Sequence, residues 1–413
     1  MKRRVVITGL GVIAPNGIGK EEFWDALVNG RSGIGRITRF DASTYPSQIA
    51  GEVNGDSFDA YIDQKKLRKL DRVCQFSLAC ANMAIEDSNL SIEKEDRNRI
   101  GVIVGTMFGG LGIAEIQHSI FLEKGYKRIN PFLQLATYPS ACSSIVAVEL
   151  QLNGPSETIF TGCASSNTAI GNSFEYIRED KADIMIVGGV DVPITPFIFA
   201  SLCQLRLVSK RNDTPLKASR PFNIDRDGIV ISEGAGFLIL EELEHALKRN
   251  TSIYAEVVGY GGTCDGYHLS APLPNGTQAA RAMTLALKDA GLQPTDIDYI
   301  NAHGTSTPFN DKTETLVIKK VFGDYAYNIP ISSTKSMIGH PQGASGTIEM
   351  VACSLMLQNK YLHPTINYEN PDPECDLNYI PNEGYSCEVN TILSNSSGFG
   401  GYNAVSVIRR YIC

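Results

Sequence analysis

Residues 157–166 read Glu157-Thr158-Ile159-Phe160-Thr161-Gly162-Cys163-Ala164-Ser165-Ser166, an apolar β-branched run that passes through glycine into a helical pattern reaching about Arg178. A strand that turns sharply into a helix has this form. The unit recurs along the chain. Val5 to Gly9, Ile100 to Gly105, Glu157 to Gly162 and Ile184 to Gly189 each read as a short strand ending in glycine, with longer helical stretches between them. Such alternation predicts an α/β protein whose largely parallel sheets are covered on both faces.

The second half repeats the theme after a helical stretch at Leu240 to Lys248. Ser252 to Gly262 reads as a strand, Thr277 to Ala290 as an amphipathic helix and Ile297 to Ala302 as a buried strand. Ile329 to Ser333 then gives a strand, followed by a glycine-rich turn and a helix from about Ala344 to Gln358, and Ala404 to Arg409 reads as the last strand. Strand, Cys163, helix in the first half has a counterpart in strand, His340, helix in the second, and glycine-rich turns follow strands at Gly105 and Gly304. This order of elements suggests an internal duplication. The expected division is a half of residues 1–250 carrying Cys163 and a half of residues 251–413 carrying His303 and His340, with the reactive groups meeting between them.

At 413 residues the chain exceeds one ordinary core of ~100–200 residues. With 43% hydrophobic and 20% charged residues it reads as soluble and globular. The run Val5-Val6-Ile7-Thr8-Gly9-Leu10 is far shorter than the ~20 residues of a membrane span, so it is expected to be a buried strand and no membrane partner is expected. Ten cysteines without a Cys-x-x-Cys pair suit a reducing cytoplasm, most of them as small buried side chains. A net charge of −8 argues against nucleic-acid binding, which needs a concentrated excess of Lys and Arg.

Four stretches carry chemistry. Cys163 at a helix N-terminus faces unpaired backbone N–H groups and the positive end of the helix dipole, which favours thiolate and lowers the thiol pKa. Asn301-Ala302-His303-Gly304-Thr305-Ser306-Thr307 sets a histidine at the carboxyl end of a buried strand, where α/β active sites are built. Ser332-Ser333-Thr334-Lys335-Ser336-Met337-Ile338-Gly339-His340 brings a Lys and a His into one loop suited to an anionic or enolising group. Ser397-Gly398-Phe399-Gly400-Gly401 presents backbone N–H groups closely, as an oxyanion site does. Each has a plainer reading when taken singly: a small buried Cys, a satisfied structural His, a solvated loop Lys, a hairpin turn. One Cys and two His also form a metal-ligand set, but no pair is close in sequence and no fourth ligand is supplied.

Taken together and in order, these four motifs resemble those of the β-ketoacyl-acyl-carrier-protein synthase II family within the thiolase-like superfamily. The resemblance runs over essentially the whole chain, including Ser219-Arg220-Pro221-Phe222 and Glu233-Gly234-Ala235-Gly236. It implies a five-layer αβαβα thiolase-like fold of two duplicated halves, and a dimer. It also implies an acyltransferase in which Cys163 carries the acyl chain as a thioester and the backbone N–H groups of Cys163 and Phe399 form the oxyanion hole. His303 and His340, as neutral donors, would hold a malonyl thioester while carbon dioxide leaves; Lys335, near His340, would disfavour imidazolium, and Phe399 would act as a gate. Phe108, Thr305, Thr307, Phe399 and Gly400 are the implied substrate pocket. The implied partner is an acyl carrier protein, whose phosphopantetheine arm brings the substrates, with no cofactor of the enzyme's own. Helical spacing puts Lys65, Arg68, Lys69 and Arg72 on one face, and with Arg206 they are the expected docking patch for an acidic carrier; a solvated helix face is the plainer alternative.

Departures from the family pattern refine the expectation. The usual Thr-Ala-Cys-Ala-Ser-Gly is here changed at Gly162 and Ser166, and Phe108 stands where an aliphatic residue is common, which should shorten or reshape the acyl pocket. Gly162, the stretch Pro371 to Tyr379 and Tyr402 are similar to ketosynthase alpha subunits of type II polyketide systems, which pair with a homologous chain-length factor lacking the cysteine. Polyketide or polyene assembly is therefore expected ahead of housekeeping fatty-acid elongation. A non-catalytic chain-length-factor-like subunit is the reading of another class, opposed by the presence of Cys163. A degradative thiolase would need a second cysteine in the Gly398–Gly401 loop.

Overall fold

The computed structural model describes residues 2–55, 57–63 and 70–412. Among the described residues ten strands form the continuous path of the main sheet: β1 (Val5–Ala14), β2 (Ile100–Gly105), β3 (Ser156–Ile159), β4 (Ile184–Asp191) and β5 (Gly234–Glu242), then β6 (Ala255–Cys264), β7 (Tyr299–Asn301), β8 (Ile331–Ser332), β9 (Thr391–Gly398) and β10 (Tyr402–Arg409). Their order is β3-β2-β4-β5-β1-β6-β10-β9-β7-β8, with a short strand Gly17–Ile18 paired to β1 alone.

The duplication is visible in this order. In the first half β5 runs antiparallel to both β1 and β4, while β4, β2 and β3 are mutually parallel. In the second half β10 runs antiparallel to both β6 and β9, while β9, β7 and β8 are parallel. The two five-stranded sets are joined edge to edge where Val5, Val6 and Ile7 of β1 pair with Val257, Glu256 and Ala255 of β6.

Helices complete five layers. α1 (Arg72–Asp87) and α2 (Ala141–Leu150) cover the outer face of the first set, and α4 (Thr277–Ala290) and α5 (Pro308–Phe322) that of the second; α3 (Ser165–Arg178) and α6 (Ser345–Asn359) lie between the sets and touch both. Each layer's sequence matches its place. α4 buries Ala282, Met283, Ala286 and Leu287 as one stripe, as an outer helix should. α6 is buried on every side from Ser345 to Leu357, as a helix between two sheets must be. Apolar cores therefore form on both sides of each set, and the central one combines residues of α3, α6 and both sets of strands.

Two strands differ from the sequence-based expectation. Leu240 to Glu242 end β5 rather than begin a helix, which is only Leu243–Lys248, capped by the Glu242 carboxylate accepting the His245 N–H. β5 and β9 are buried along nearly their whole length, so neither shows the alternation by which a half-buried strand is read. No helix among the described residues is long and apolar enough to cross a membrane.

Candidate active site

β3 and β8 occupy equivalent places in the two halves, and each is followed by a 3₁₀ turn into a central helix: Gly162–Ala164 into α3, and, after a short helix Lys335–Ile338, Gln342–Ala344 into α6. The two turns face one another across the middle layer, so residues far apart in sequence share one cavity of ≈ 340 Å³. Cys163, His303 and His340 all line it, with Phe399 and the hydroxyl-bearing Thr305 and Thr307 on its walls.

Cys163 stands just after Gly162, whose φ of +58° turns the chain out of β3. A Cβ on Gly162 would lie 3.0 Å from both the N and the O of Phe399, so the glycine also lets the Gly398–Gly401 turn approach. The thiol is 5% exposed. Burial pushes it up to about 12, against the pull of the Lys335 ammonium and of the backbone N–H groups of Phe399 and Cys163 itself. The helix-terminus expectation of a lowered thiol pKa is thus overturned by desolvation, which costs the thiolate more than the helix end returns. Those two N–H groups lie close to the sulfur.

His303 follows β7, and its turn is pinned by Glu314 of α5: one carboxylate oxygen accepts the His303 N–H at 2.7 Å, the other the Gly304 N–H at 2.8 Å. His340 is held by its own N–H to the Val230 carbonyl at 2.7 Å and by Ser232 N–H donating to its carbonyl at 3.1 Å. The imidazoles meet edge to face, with centroids 5.5 Å apart. Both are held well below the ordinary histidine range, first by burial and then by Lys335.

Lys335 acts on His340 through space, as expected, and makes its direct contact with His303, with Nζ 3.4 Å from Nδ1. An ammonium only donates, so Nδ1 of His303 accepts and the ring proton sits on Nε2. Lys335 also donates to Glu349 of α6, whose carboxyl burial pushes up to about 7. At His340, Nδ1 lies 3.2 Å from Ser345 Oγ, which also reaches the Gln342 carbonyl at 2.8 Å; when the hydroxyl proton goes to Nδ1, His340 too presents Nε2–H. Phe399 sits in the turn between β9 and β10, where Gly400 N–H donates to the Leu269 carbonyl at 2.7 Å and Asp265 N–H to the Gly401 carbonyl at 2.7 Å.

Other expected residues fall elsewhere. Phe108 and Gly400 do not line this cavity. The Phe108 side chain packs on the cluster of Ile194, Ile198, Phe199 and Leu202, and its N–H donates to buried Asp191. Arg72 is not free for docking: its guanidinium donates to buried Glu233 at 2.9 and 3.0 Å and lies over Phe58 and Phe76. Lys65, Arg68 and Lys69 lie outside the described residues. Arg206 is exposed at the cavity mouth, beside Leu269 and Phe309.

Sequence reasoning missed four residues that shape the site. Glu349 was legible as a lone carboxylate in the apolar helix Ile348-Glu349-Met350-Val351, whereas Glu314 stands among the charged residues Asp311 and Lys312 of α5 and carries no such signal. Asp191 accepts from Thr106 Oγ1 and from the N–H groups of Met107, Phe108 and Gly343 at 2.7–2.9 Å, tying the first half to the turn after His340. Gln342, in that turn, reaches the nucleophile candidate itself. Neither of the last two carries a local signal, because their partners are more than 80 residues away.

The family described as Beta-ketoacyl synthase, N-terminal domain matches residues 2–246, and Beta-ketoacyl synthase, C-terminal domain matches residues 254–369. The chain is 48% identical over 410 residues to 3-oxoacyl-[acyl-carrier-protein] synthase 2 of Synechocystis sp., covering 99% of each. Among solved structures it is similar to a type II polyketide synthase acyl carrier protein in complex with its ketosynthase bound to the hexaketide (38% identity, TM-score 0.92) and to the ishigamide ketosynthase/chain length factor (36%, 0.93), each covering 100% of both chains.

Proposed function

The chain belongs to the beta-ketoacyl synthase family and is an acyltransferase of the ketosynthase type, and on that premise we propose that it joins an acyl group carried on Cys163 to a malonyl unit, both delivered by an acyl carrier protein. The observation that carries this reading is a buried thiol sharing one cavity with two neutral imidazoles, one of which is contacted from behind by a buried ammonium.

In the first half-reaction Sγ of Cys163 gives up its proton and attacks the acyl thioester of the carrier. A carbon–sulfur bond to Cys163 forms, the bond to the carrier sulfur breaks, and the carrier thiol leaves with a proton. Backbone N–H groups of Cys163 and Phe399 hold the transient oxyanion. In the second, Nε2–H of His303 and of His340 donate to the malonyl thioester carbonyl. The bond to the carboxylate breaks, its electron pair passes into an enolate, and carbon dioxide leaves. The enolate carbon attacks the Cys163 thioester, a carbon–carbon bond forms, and the sulfur departs as thiolate to be reprotonated. The product is a 3-oxoacyl thioester on the carrier. A carrier-borne arm is the fitting delivery, since Arg206 marks the mouth and Thr305 and Thr307 line the way in.

Fatty-acid elongation is the closer reading of pathway, because the curated relative at 48% identity is named a 3-oxoacyl-[acyl-carrier-protein] synthase 2. Polyketide or polyene assembly is the second reading, favoured by the descriptions of the similar solved structures. A partner chain of the same fold, identical or chain-length-factor-like, would cover the helix Leu111–Lys124, which buries none of its residues and exposes Leu111, Ile116, Phe121 and Leu122.

The test is to supply malonyl- and acyl-carrier proteins and follow both half-reactions. Intact-mass measurement should find the acyl group on Cys163, lost in Cys163→Ala, while His303→Ala and His340→Ala keep acylation and lose carbon dioxide release. Wild-type protein, with its partner chain, that neither acylates nor decarboxylates would end the proposal. A saturated chain trapped on Cys163 selects elongation; a polyketo or polyene chain selects the second reading.

A further inference from the structure

We infer that Gln342 is a positioning residue for Cys163, presenting its amide oxygen to the thiol and holding the sulfur as S–H until an acyl thioester arrives. The inference rests on the reading of Cys163 as nucleophile and adds a residue to it. Gln342 is the first residue of the turn leading into α6, 1% exposed, with φ of +50°. Its Nε2 donates to the His340 carbonyl at 3.1 Å. Because a carbonyl only accepts, that bond fixes the amide's orientation: nitrogen toward His340, oxygen away from it. The oxygen then faces Cys163, with Sγ 3.8 Å from Oε1.

The geometry has a chemical consequence. An oxygen acceptor at the sulfur stabilises S–H and opposes thiolate, adding to burial, whereas an apolar side chain at the same place would leave the thiol without an acceptor there. The backbone supports a fixed placement, since the next N–H, of Gly343, donates to Asp191 at 2.7 Å. Gln342 therefore bridges the sulfur to the backbone of His340, and acylation of Cys163 removes the donor that its oxygen faces. Between turnovers the arrangement keeps the sulfur protonated and aimed.

The test is the pH dependence of Cys163 alkylation by iodoacetamide, read on the Cys163 peptide by mass spectrometry so that exposed Cys264 and half-exposed Cys387 do not interfere. Gln342→Leu removes the acceptor; Gln342→Asn keeps an amide residue tolerant of positive φ but shortens it out of reach, and serves if the leucine variant fails to fold. Losing one neutral hydrogen bond should raise the alkylation rate at neutral pH about two- to tenfold and move the midpoint of the profile down. A profile superimposable on wild type in a folded variant overturns the inference, as does a midpoint moved up. The measurement needs no carrier substrate, so its outcome is independent of whether Cys163 is acylated in the proposed reaction.

Discussion

Nζ of Lys335 lies 3.4 Å from Nδ1 of His303 while donating to Glu349, so a single buried ammonium decides which nitrogen of that imidazole is bare and adds to the burial that keeps the ring neutral. The two imidazoles, the ammonium and the thiol are thereby one electrostatic unit.

Lys335→Met should lower the rate of carbon dioxide release about 100-fold or more, the scale of losing a group that stabilises a developing oxyanion. The lysine charge lowers both histidine pKa values, so its removal raises them, and the acid limb of the remaining activity should move to higher pH. Unpairing Glu349 should also cost about 3–5 kcal/mol of stability, seen in denaturant unfolding. An unmoved acid limb would count against the electrostatic role.

His245 carries a pH-dependent share of stability at a distance from the cavity. Its Nδ1 lies 2.5 Å from Glu241 and its Nε2 3.0 Å from Glu95, and the first of these contacts is the main cause that raises its pKa. Because the folded pKa is raised, the contribution is fully present below the ordinary value of about 6.5 and is lost as pH rises through the raised one. The melting-temperature gap between wild type and His245→Gln should be widest near pH 6 and narrow toward pH 9; a gap that grows with pH reverses the sign and refutes it.

Gly162→Ala should destabilise the protein by about 1–2 kcal/mol, the cost of a side chain in the left-handed region, and push the Phe399 turn away from the sulfur. Acylation of Cys163 should slow with it. Unchanged acylation would separate the glycine from the proposed oxyanion site.

Arg72 and Arg206 should part company. Arg72→Ala removes a partner of the buried Glu233 carboxylate, which retains Arg39 at 2.5 Å, and should lower the melting temperature. Arg206→Glu, at the exposed mouth, should leave stability alone and raise KM for the malonyl-carrier substrate, most at low salt. Equal effects of both on KM would restore Arg72 to the docking face.

How much of this was legible is clear from particular residues. Thr277 to Ala290 was read to the residue because an outer helix buries one stripe, and Ile100 to Gly105 because a doubly covered strand is a continuous apolar run ending in glycine. β5 escaped because its end, from Leu240, runs directly into the helix that follows, and β9 because Ser394, Asn395 and Ser396 stand buried where an apolar run would be expected. The local context of Cys163 pointed to a lowered pKa, since a helix terminus is visible in sequence, whereas the burial that outweighs it is assembled from both halves of the chain.

The sequence by itself determined the order of elements, the duplication they form and the three side chains that meet, because strand, turn and helix are decided by neighbours within a few residues. Only the tertiary structure decided which protons those side chains hold, which arginine is committed to a buried carboxylate, and that Gln342 faces the sulfur. Charge, desolvation and hydrogen-bond direction act through space over a few ångströms, and residues 179 positions apart come within that range only after the chain has folded.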